Sequence, residues 1–329
     1  YCDWLATHGK TDSFTIDDAI TWARLPAGAA RHWWGMRLSA VRTFEVDDCA
    51  LDLLLAAKQG RTVSVCIPCR DEAATIGPLV SMVRHALMRR VPLVDELIVL
   101  DDRSTDDTAQ VAASAGATVL PIEELHLLHG VGHGKGNVLW ASLAASKGDF
   151  VVWLDGDVTS FEPNWIAKLL APLIDDDTVA LVKAIFHRPT QMGGGGRTTE
   201  LVTRPLMSLY YPELTGLHQP LAGEYAGRRE VLEQLAFVQG WGVEIALLID
   251  IARRHGAEAI AQVDLGVREH RHRGLHALSV QAAEVMATML GRAPGGSLLT
   301  PGHHLLRRAD GSEVPLNLAE RPPLASLRP

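Results

Sequence analysis

Cysteine, an excess of positive charge and long apolar runs are what this sequence most clearly lacks. It has four cysteines in 329 residues, without the spacing of a disulfide scaffold, so we expect a protein of the reducing cytoplasm. No apolar run approaches the roughly 20 residues of a membrane-spanning helix. The formal net charge of -8 argues against a general nucleic-acid binder.

The part of the chain after residue 60 alternates between apolar strands and amphipathic helices. RTVSVCIP, ELIVLDD, ATVL and DFVVWLDGD have the pattern of strands. ATIGPLVSMVRHALMRR, DDTAQVAASAG and KGNVLWASLAASKG, which lie between them, have the pattern of helices. This alternation predicts an α/β fold with a mostly parallel, doubly wound sheet, on which ligands bind at the carboxyl ends of the strands.

The chain divides into four segments by composition and pattern. Residues 1–58 form a helical or irregular leader, and residues 59–186 the strand-helix alternation that predicts a nucleotide-binding half. Residues 187–291 form a second half with a glycine-rich loop and amphipathic helices. Residues 292–329 are rich in Pro and Gly, which predicts an extended tail that lies on a partner.

Carboxylates follow three of the predicted strands. Asp155, Gly156 and Asp157 follow the apolar run FVVWL, and the pairs Asp71–Glu72 and Asp101–Asp102 follow two earlier strands. Three such groups at one sheet edge repel one another unless a cation or hydrogen-bond donors lie among them. Mg²⁺ takes one or two carboxylates together with substrate phosphates, so the pattern favours a metal and a phosphorylated ligand. A turn is the alternative for the triplet, and a helix cap for the second pair.

Two glycine-rich segments are candidates for anion binding. Lys135 lies in GHGKG, which lacks the first Gly and the Ser/Thr of a Walker A loop; a position at a helix N-terminus fits it better and suits a phosphate or carboxylate. In GGGGRTT, successive backbone N–H groups and the Arg197 guanidinium can surround an oxyanion. The alternative for the second segment is a mobile surface loop.

Three further positions have a structural alternative. Glu244 can simply complement the dipole in the first turn of its helix. His270 can belong to a solvated basic strand, because Arg268, Arg271, His272 and Arg273 surround it. CIPC is better explained as buried side chains than as a zinc or redox pair, since no further cysteine has suitable spacing.

The motifs taken together resemble those of a known family. CIPCRDEAATIG, DELIVLDDRSTDDT and VVWLDGD are similar to the nucleotide-sugar half of the GT-A glycosyltransferases. GHGKGNVLWASLAASKGD, GGGGRTTELVTRPL, LAGEYAGRR, GWGVEIALLIDIARRHG and AIAQVDLGVREHRHR resemble glucosyl-3-phosphoglycerate synthase and its mannosyl counterpart. The resemblance covers residues 61–290 in motif order. It implies a GT-A fold with a smaller C-terminal acceptor-binding part, and a homodimer.

The resemblance also implies an activity and a set of site residues. The activity is the transfer of a hexose, with retention, from a nucleotide diphosphate sugar to 3-phosphoglycerate, with Mg²⁺, Mn²⁺ or Co²⁺ as cofactor. The implied metal ligands are Asp157 and His270, and the implied catalytic residues are Lys135, Asp155 and Glu244. The implied donor-binding residues are Pro68, Cys69, Asp71, Glu72, Asp102, Lys135, Asp155, Gly156 and Asp157. The implied acceptor-binding residues are Gly196, Arg197, Thr199, Trp241, Glu244, Arg268 and His272. Trp241 and His272 replace the family's Tyr and Asn, so their roles are open.

Particular residues bear on the choice of donor and on two rival functions. Arg70 and Asp102 depart from the glucosyl enzymes that use a uridine donor, which favours GDP-mannose over UDP-glucose or GDP-glucose. A sugar-phosphate nucleotidyltransferase is disfavoured because its first loop is basic and glycine-rich, whereas CRDEAA is acidic and glycine-free. A non-catalytic sugar-nucleotide-binding protein needs no acceptor groups, so Arg197, Thr199, Glu244 and Arg268 favour an enzyme.

Overall fold

An eight-stranded sheet organises the part of the chain that the structure describes. The computed structural model describes residues 40–45, 50–187, 196–268, 274–302 and 304–327. The strands of the sheet are β1 (Arg42–Phe44), β2 (Val63–Cys69), β3 (Glu96–Asp101), β4 (Thr118–Pro121), β5 (Phe150–Trp153), β6 (Leu181–His187), β7 (Tyr225–Arg228) and β9 (Ile260–Val267). Their order is β1-β9-β6-β7-β5-β2-β3-β4. Shorter strands β8 (Phe237–Val238), β10 (Leu305–Arg307), β11 (Glu313–Pro315) and β12 (Glu320–Arg321) form two small sheets.

Helices cover both faces of the sheet. The α-helices are α1 (Leu51–Ala57), α2 (Ala73–Val83), α3 (Thr108–Ala115), α4 (Ile122–His129), α5 (Lys135–Ala145), α6 (Asn164–Asp175), α7 (Arg204–Tyr210), α8 (Arg229–Leu232), α9 (Val243–His255) and α10 (Leu275–Gly291). Wider π-helical turns extend α2 (Arg84–Arg90) and precede α7 (Thr199–Thr203). Short 3₁₀ turns lie at Pro212–Leu214, Ala257–Ala259 and Leu324–Leu327. No helix in the described ranges is long and apolar enough to cross a membrane.

The residues of β2 explain why both faces are covered. Val63, Val65 and Ile67 are fully buried in the core on one face, whereas Cys66 is fully buried in the core on the other. Successive side chains of a strand point to opposite faces, so a strand whose side chains are buried on both faces needs packing on both sides. The predicted doubly wound, mostly parallel sheet is confirmed.

One central strand was not among the predicted elements. β7, in the sequence LAGEYAGRR, pairs antiparallel with β5 on one side and with β6 on the other. β5 and β6 run in the direction opposite to β7, so the first residues of β7 lie on the side of their carboxyl ends. Glu224, which immediately precedes β7, consequently reaches the edge of the sheet where the ligand site is expected.

The segment boundaries need three corrections. β1 lies within the supposed leader of residues 1–58 but pairs parallel with β9 at the edge of the main sheet. The supposed halves, residues 59–186 and 187–291, share this sheet, because the second contributes β7 and β9. The described part of residues 292–329 is not simply extended: β10 and β11 form a hairpin, and β12 pairs with β8 of the same chain.

Candidate active site

A cavity of about 730 Å³ opens at the carboxyl ends of β2, β3 and β5. Most of the residues that the sequence assigns to the site line it, which brings both predicted binding regions together. These are Pro68, Asp71, Glu72, Asp102, Lys135, Asp155, Gly156, Asp157, Gly196, Arg197, Thr199, Trp241 and Arg268. Cys69 and Glu244 are buried beneath the cavity, 3% and 4% exposed. His270 and His272 lie outside the described residues.

Asp155 is held between two cations just after β5. Its Oδ1 accepts a hydrogen bond from Lys135 Nζ at 3.0 Å, and its Oδ2 accepts one from Arg268 Nη2 at 2.7 Å. A Cβ atom at Gly223 would overlap this carboxylate, so the close approach requires glycine there. Burial favours the neutral acid, but Lys135 and Arg268 outweigh it and lower the pKa of Asp155. Asp155 is therefore ionised at neutral pH.

Lys135 connects the floor of the cavity to helix α9. It is the first residue of α5, as the sequence predicts, and its Nζ lies 2.7 Å from Glu244 Oε1 in the first turn of α9. Burial disfavours the ammonium ion, but Asp155 and Glu244 outweigh it and raise the pKa of Lys135. Lys135 thus keeps its positive charge, and it links the buried Glu244 to the cavity.

Arg268 lies among three carboxylates, one of which the sequence analysis did not assign. Its Nη2 lies 2.7 Å from Asp155 Oδ2, 3.8 Å from Asp157 Oδ1 and 2.7 Å from Glu224 Oε1. Glu224 is fully buried, and within the described residues neither of its oxygens accepts a well-directed hydrogen bond. Burial raises the pKa of Glu224 to about 7, and Arg268 opposes that rise. Arg268 and Glu224 therefore depend on each other for charge compensation.

A second unassigned charge lies deeper in the sheet. Lys183 of β6 is 2% exposed, its Nζ donates a hydrogen bond to Ala222 O, and it lies 4.3 Å from the centroid of the Tyr225 ring. Burial lowers the pKa of Lys183 to about 8, although the carboxylates of Glu244, Glu224 and Asp155 act in the opposite direction. The site thus rests on a buried network of cations and carboxylates.

The pH dependence of stability tests the state of Lys183. Since its folded pKa of about 8 lies below the ordinary 10.5, the unfolded chain binds more protons between these values. The contribution of Lys183 to stability therefore rises with pH across this window, by about 3 kcal/mol at most. We expect the unfolding free energy of the wild type minus that of Lys183→Met to be larger at about pH 10 than at about pH 7, as measured by urea unfolding.

Lys147 provides the matched control because it is exposed. Lys147→Met should differ from the wild type by the same free energy at both pH values. A Lys183→Met difference that stays constant with pH, or shrinks, would show that Lys183 keeps its ordinary titration.

Hydrogen-bond donors compensate the carboxylates that follow β2 and β3. Asp71 Oδ1 accepts hydrogen bonds from the backbone N (2.7 Å) and the hydroxyl (3.1 Å) of Thr105, and the first of these chiefly lowers the pKa of Asp71. Asp102 Oδ1 accepts from Arg103 Nε at 3.0 Å and Nη2 at 2.6 Å. Arg103 Nη1 also lies 3.1 Å from His133 Nδ1. The predicted need for cations and donors among these carboxylates is confirmed. The helix-cap alternative for Asp101 and Asp102 is wrong, because α3 begins only at Thr108.

The second predicted anion site also lines the cavity. Gly196 has a left-handed φ of 91°, from which Arg197 and two buried threonines, Thr198 and Thr199, start a helical segment. The backbone N of Trp241 donates to Glu284 Oε2 at 2.8 Å, which fixes that residue at the cavity edge. Backbone N–H groups at a helix start, together with a guanidinium, suit a phosphate or carboxylate.

Cys66 and Cys69 are free and buried, as the sequence favours over a metal or redox pair. Burial raises the pKa of the Cys66 thiol to about 12 and raises that of Cys69 as well. Thiols in this state are poor nucleophiles and poor metal ligands. A Cβ at Gly156 would lie 2.7 Å from Cys69 Sγ, so Cys69 packs against the Asp155–Asp157 turn.

The donor set of the cavity is compatible with a hard divalent cation. Within the described ranges no group of three or more His, Cys, Asp or Glu side chains could hold a metal ion by itself. Mg²⁺ commonly binds one or two protein carboxylates and completes its shell with substrate phosphates and water. Asp157 lines the cavity and fits such a mixed site, in which a diphosphate supplies further oxygen ligands.

The residues that sequence reasoning missed have weak local signals. Lys183 is the lone charge inside the apolar strand VALVKAIF, which is a usable signal because an unpaired lysine is rarely buried. Glu224 lies in LAGEYAGRR, where no periodicity distinguishes it. Arg103 and His133 stand beside assigned residues, and only their contact in space links them.

The comparisons with known proteins agree with this geometry. Residues 64–236 match the family described as "Glycosyl transferase family 2". The glucosyl-3-phosphoglycerate synthase of Mycolicibacterium paratuberculosis is 45% identical over 294 residues, which cover 84% of this chain and 88% of that protein. The Mycobacterium tuberculosis enzyme in complex with Mn²⁺, UDP-glucose and phosphoglyceric acid has a TM-score of 0.80 at 41% identity, and the match covers 88% of this chain and all of that one. A complex of the same enzyme with Mg²⁺ and UDP has a TM-score of 0.79 at 41% identity, over 88% of this chain and 99% of that one.

The fold and the cavity therefore define a GT-A glycosyltransferase of family 2. Within that class, the extent of the match shows that the chain belongs to the glucosyl-3-phosphoglycerate synthase family.

Proposed function

We propose that this chain transfers glucose from UDP-glucose to 3-phosphoglycerate, with Mn²⁺ or Mg²⁺ as cofactor. The observation that carries the proposal is the single cavity with two kinds of wall. Carboxylates that follow β2, β3 and β5 line it, and so does the segment from Gly196 to Thr199; Arg268 also lines it and contacts Asp155. A nucleotide diphosphate sugar suits the first wall, and a small acid bearing a phosphate suits the second.

The choice of UDP-glucose replaces the donor that the sequence favours. Arg70 and Asp102 were the grounds for GDP-mannose, but the relatives compared above are named as glucosyl enzymes, and their structures contain UDP-glucose or UDP. The preference for GDP-mannose is therefore not supported. The Arg103 side chain binds the carboxylate of Asp102, so the charge of this carboxylate is compensated where it lines the cavity.

The proposed reaction exchanges one bond at the anomeric carbon. The bond from this carbon to the β-phosphate oxygen of the donor breaks, and the acceptor hydroxyl oxygen bonds to the same face. The hydroxyl proton passes to the departing phosphate oxygen, so UDP leaves and no covalent enzyme intermediate forms. Glu244 is not a nucleophile in this scheme, since it is buried and ion-paired with Lys135.

The chain's own residues bind and orient the two substrates. A divalent cation, when bound, neutralises the charge that develops on the leaving diphosphate; Asp157 is its proposed ligand, with His270 implied by the family resemblance. Asp155, fixed by Lys135 and Arg268, accepts hydrogen bonds from donor hydroxyl groups. Lys135 lies at the N-terminus of α5, where its ammonium ion and the helix dipole both attract phosphate. Arg197, Thr199 and Arg268 bind the acceptor anion.

A direct donor comparison tests the proposed function. With Mn²⁺ and 3-phosphoglycerate, we expect release of free UDP from UDP-glucose, with a kcat/KM at least about tenfold above that for GDP release from GDP-glucose or GDP-mannose. A base pocket that pairs with one base leaves its polar groups unpaired with another, which is the physical source of the difference. Nucleoside diphosphate release is measured by a coupled assay.

Reactions without 3-phosphoglycerate, and reactions with a chelator, are the controls. Equal nucleotide release without the acceptor would indicate hydrolysis and overturn the transferase proposal. Faster turnover with GDP-mannose would overturn the donor assignment alone. The homodimer and the cytoplasmic location stay predictions.

A further inference from the structure

The C-terminal segment of the chain returns to the donor side of the cavity. β12 pairs antiparallel with β8, and Gln239 N donates to Ala319 O at 2.8 Å. Trp140 Nε1 of α5 donates to Pro322 O at 2.7 Å. The residues just before and just after β12 are thus bonded to elements that border the active site.

Arg321 of β12 makes an unusually complete set of contacts. It is 7% exposed, and its Nη1 and Nη2 donate to the carbonyl oxygens of His129 and Gly130, each at 2.7 Å. Its Nε donates to Asn137 Oδ1 at 2.8 Å, and its guanidinium carbon lies 5.1 Å from the centroid of the Trp140 ring. A cation at the last carbonyl groups of a helix also complements the dipole of α4. Arg321 therefore joins the end of α4 to the start of α5.

The residues between these two helices form part of the cavity wall. We call residues 129–134 the donor-side segment; His133 and Gly134 of this segment line the cavity, as does Lys135, which follows it. Near the other end of the segment, His133 N donates to Gln239 Oε1 at 3.1 Å, and His133 O accepts from Asn317 Nδ2 at 2.6 Å. The donor-side segment is therefore bonded near both of its ends.

Glycine positions show how little space the donor-side segment has. A Cβ at Gly132 would overlap Asn137 Oδ1 and Arg321 Nη2, and one at Gly134 would lie 2.6 Å from Gln239 O. The segment thus cannot shift towards Arg321 or towards Gln239 while both stay in place. Its position, and with it the contact of Lys135 with Asp155, depends on these partners.

We propose that Arg321 is a positioning residue for the donor site. Among the described residues it contacts none that we assign to the acceptor, and it acts through the two carbonyl groups and Asn137 to set where His133 and Lys135 lie. The proposal rests on the proposed function only in taking the donor to be a nucleoside diphosphate sugar. Displacement of a binding group by about 1 Å can reduce the reaction rate by up to about a hundredfold.

The test compares donor affinity with acceptor affinity. In Arg321→Gln, we expect the Kd of UDP with Mn²⁺, measured by calorimetry, to rise about tenfold, and kcat/KM for UDP-glucose to fall in step. The KM for 3-phosphoglycerate at saturating donor should stay within about twofold of the wild type, because the contacts of Arg321 do not include Arg197, Thr199 or Arg268, the residues proposed to bind the acceptor anion. If Arg321 were needed only for folding, Arg321→Gln would lower the urea midpoint but would not weaken UDP binding more than it changes the KM for 3-phosphoglycerate.

Arg307→Gln is the matched control, because Arg307 lies in the same C-terminal segment, is exposed and pairs only with Glu313 across the β10–β11 hairpin among the described residues. It should bind UDP as the wild type does. Asn317→Ala, which removes the bond to His133 O, is the second variant, and we expect its Kd for UDP to rise about fivefold.

A folded Arg321→Gln protein with wild-type affinity for UDP would overturn the positioning role. If that variant does not fold, wild-type affinity in Asn317→Ala would overturn it instead. The proposed function is judged separately, by wild-type turnover of UDP-glucose. If the wild type binds no UDP, the same variants are compared with GDP, so the two proposals fail independently.

Discussion

Asp157→Asn is expected to lower turnover by about a thousandfold or more while the protein stays folded. Asparagine keeps the size of the side chain but removes the negative charge with which Asp157 would hold a divalent cation. Without that ligand, the charge on the departing diphosphate is poorly stabilised. Asp157 lines the cavity and is partly exposed, so its loss should leave the packed core unchanged.

Turnover and Mn²⁺–UDP binding, measured across a Mn²⁺ titration, provide the test. The variant should bind Mn²⁺–UDP weakly and should need far more Mn²⁺ for any residual activity. Asp107→Asn, an exposed aspartate at the start of α3, is the control and should behave as the wild type. Near-normal turnover of Asp157→Asn with an unchanged Mn²⁺ requirement would contradict the assignment.

Arg268→Ala is expected to remove activity and also to destabilise the fold. The variant leaves Glu224 buried without its cation and removes one of the two cations that bind Asp155. Removal of one partner from a buried ion pair typically costs about 3–5 kcal/mol, because the remaining charge stays desolvated. Urea unfolding measures the stability loss, and UDP release measures activity, for which we expect a loss of about a thousandfold or more.

The loss of stability in Arg268→Ala should depend on pH with a defined sign. Burial raises the folded pKa of Glu224 to about 7, so the native protein binds a proton that the unfolded chain has released, and stability falls as pH rises from about 4.5 to 7. Arg268 opposes this rise, so without it the pKa of Glu224 is higher, and the pH range over which stability falls extends upward. The variant should therefore lose more stability, relative to the wild type, at about pH 8 than at about pH 5.

The double variant Arg268→Ala/Glu224→Gln separates the two roles of Arg268. A neutral amide at position 224 no longer needs a cation, so part of the stability should return while activity stays lost. Arg254→Ala, an exposed arginine of α9, is the control. If Arg268→Ala unfolds at the wild-type urea concentration at both pH values, Arg268 does not compensate Glu224.

The donor-side residues of the site were accessible to sequence reasoning because their signals are local. Asp155 and Asp157 directly follow an apolar strand, and Lys135 follows glycines at the start of a helix, so strand and helix patterns place them at one sheet edge. Arg197 directly follows the glycines of the second anion-binding candidate, the resemblance added Arg268, and the structure places both on the same cavity. The donor preference drawn from Arg70 and Asp102 is not supported, because the relatives compared above are named as glucosyl enzymes and their structures contain UDP-glucose or UDP.

By itself, the sequence determined the parallel, doubly wound sheet and the carboxylates at its edge, because strand and helix periodicity and the residues at strand ends are properties of neighbouring positions. Only the tertiary structure decided that β7 runs antiparallel between β5 and β6 and brings Glu224 to Arg268, positions 44 residues apart in the sequence. It alone also decided that Arg321 binds the carbonyl groups of His129 and Gly130, at sequence separations of 192 and 191. Contacts between distant positions depend on how packed elements meet, and no local pattern of side chains encodes that arrangement.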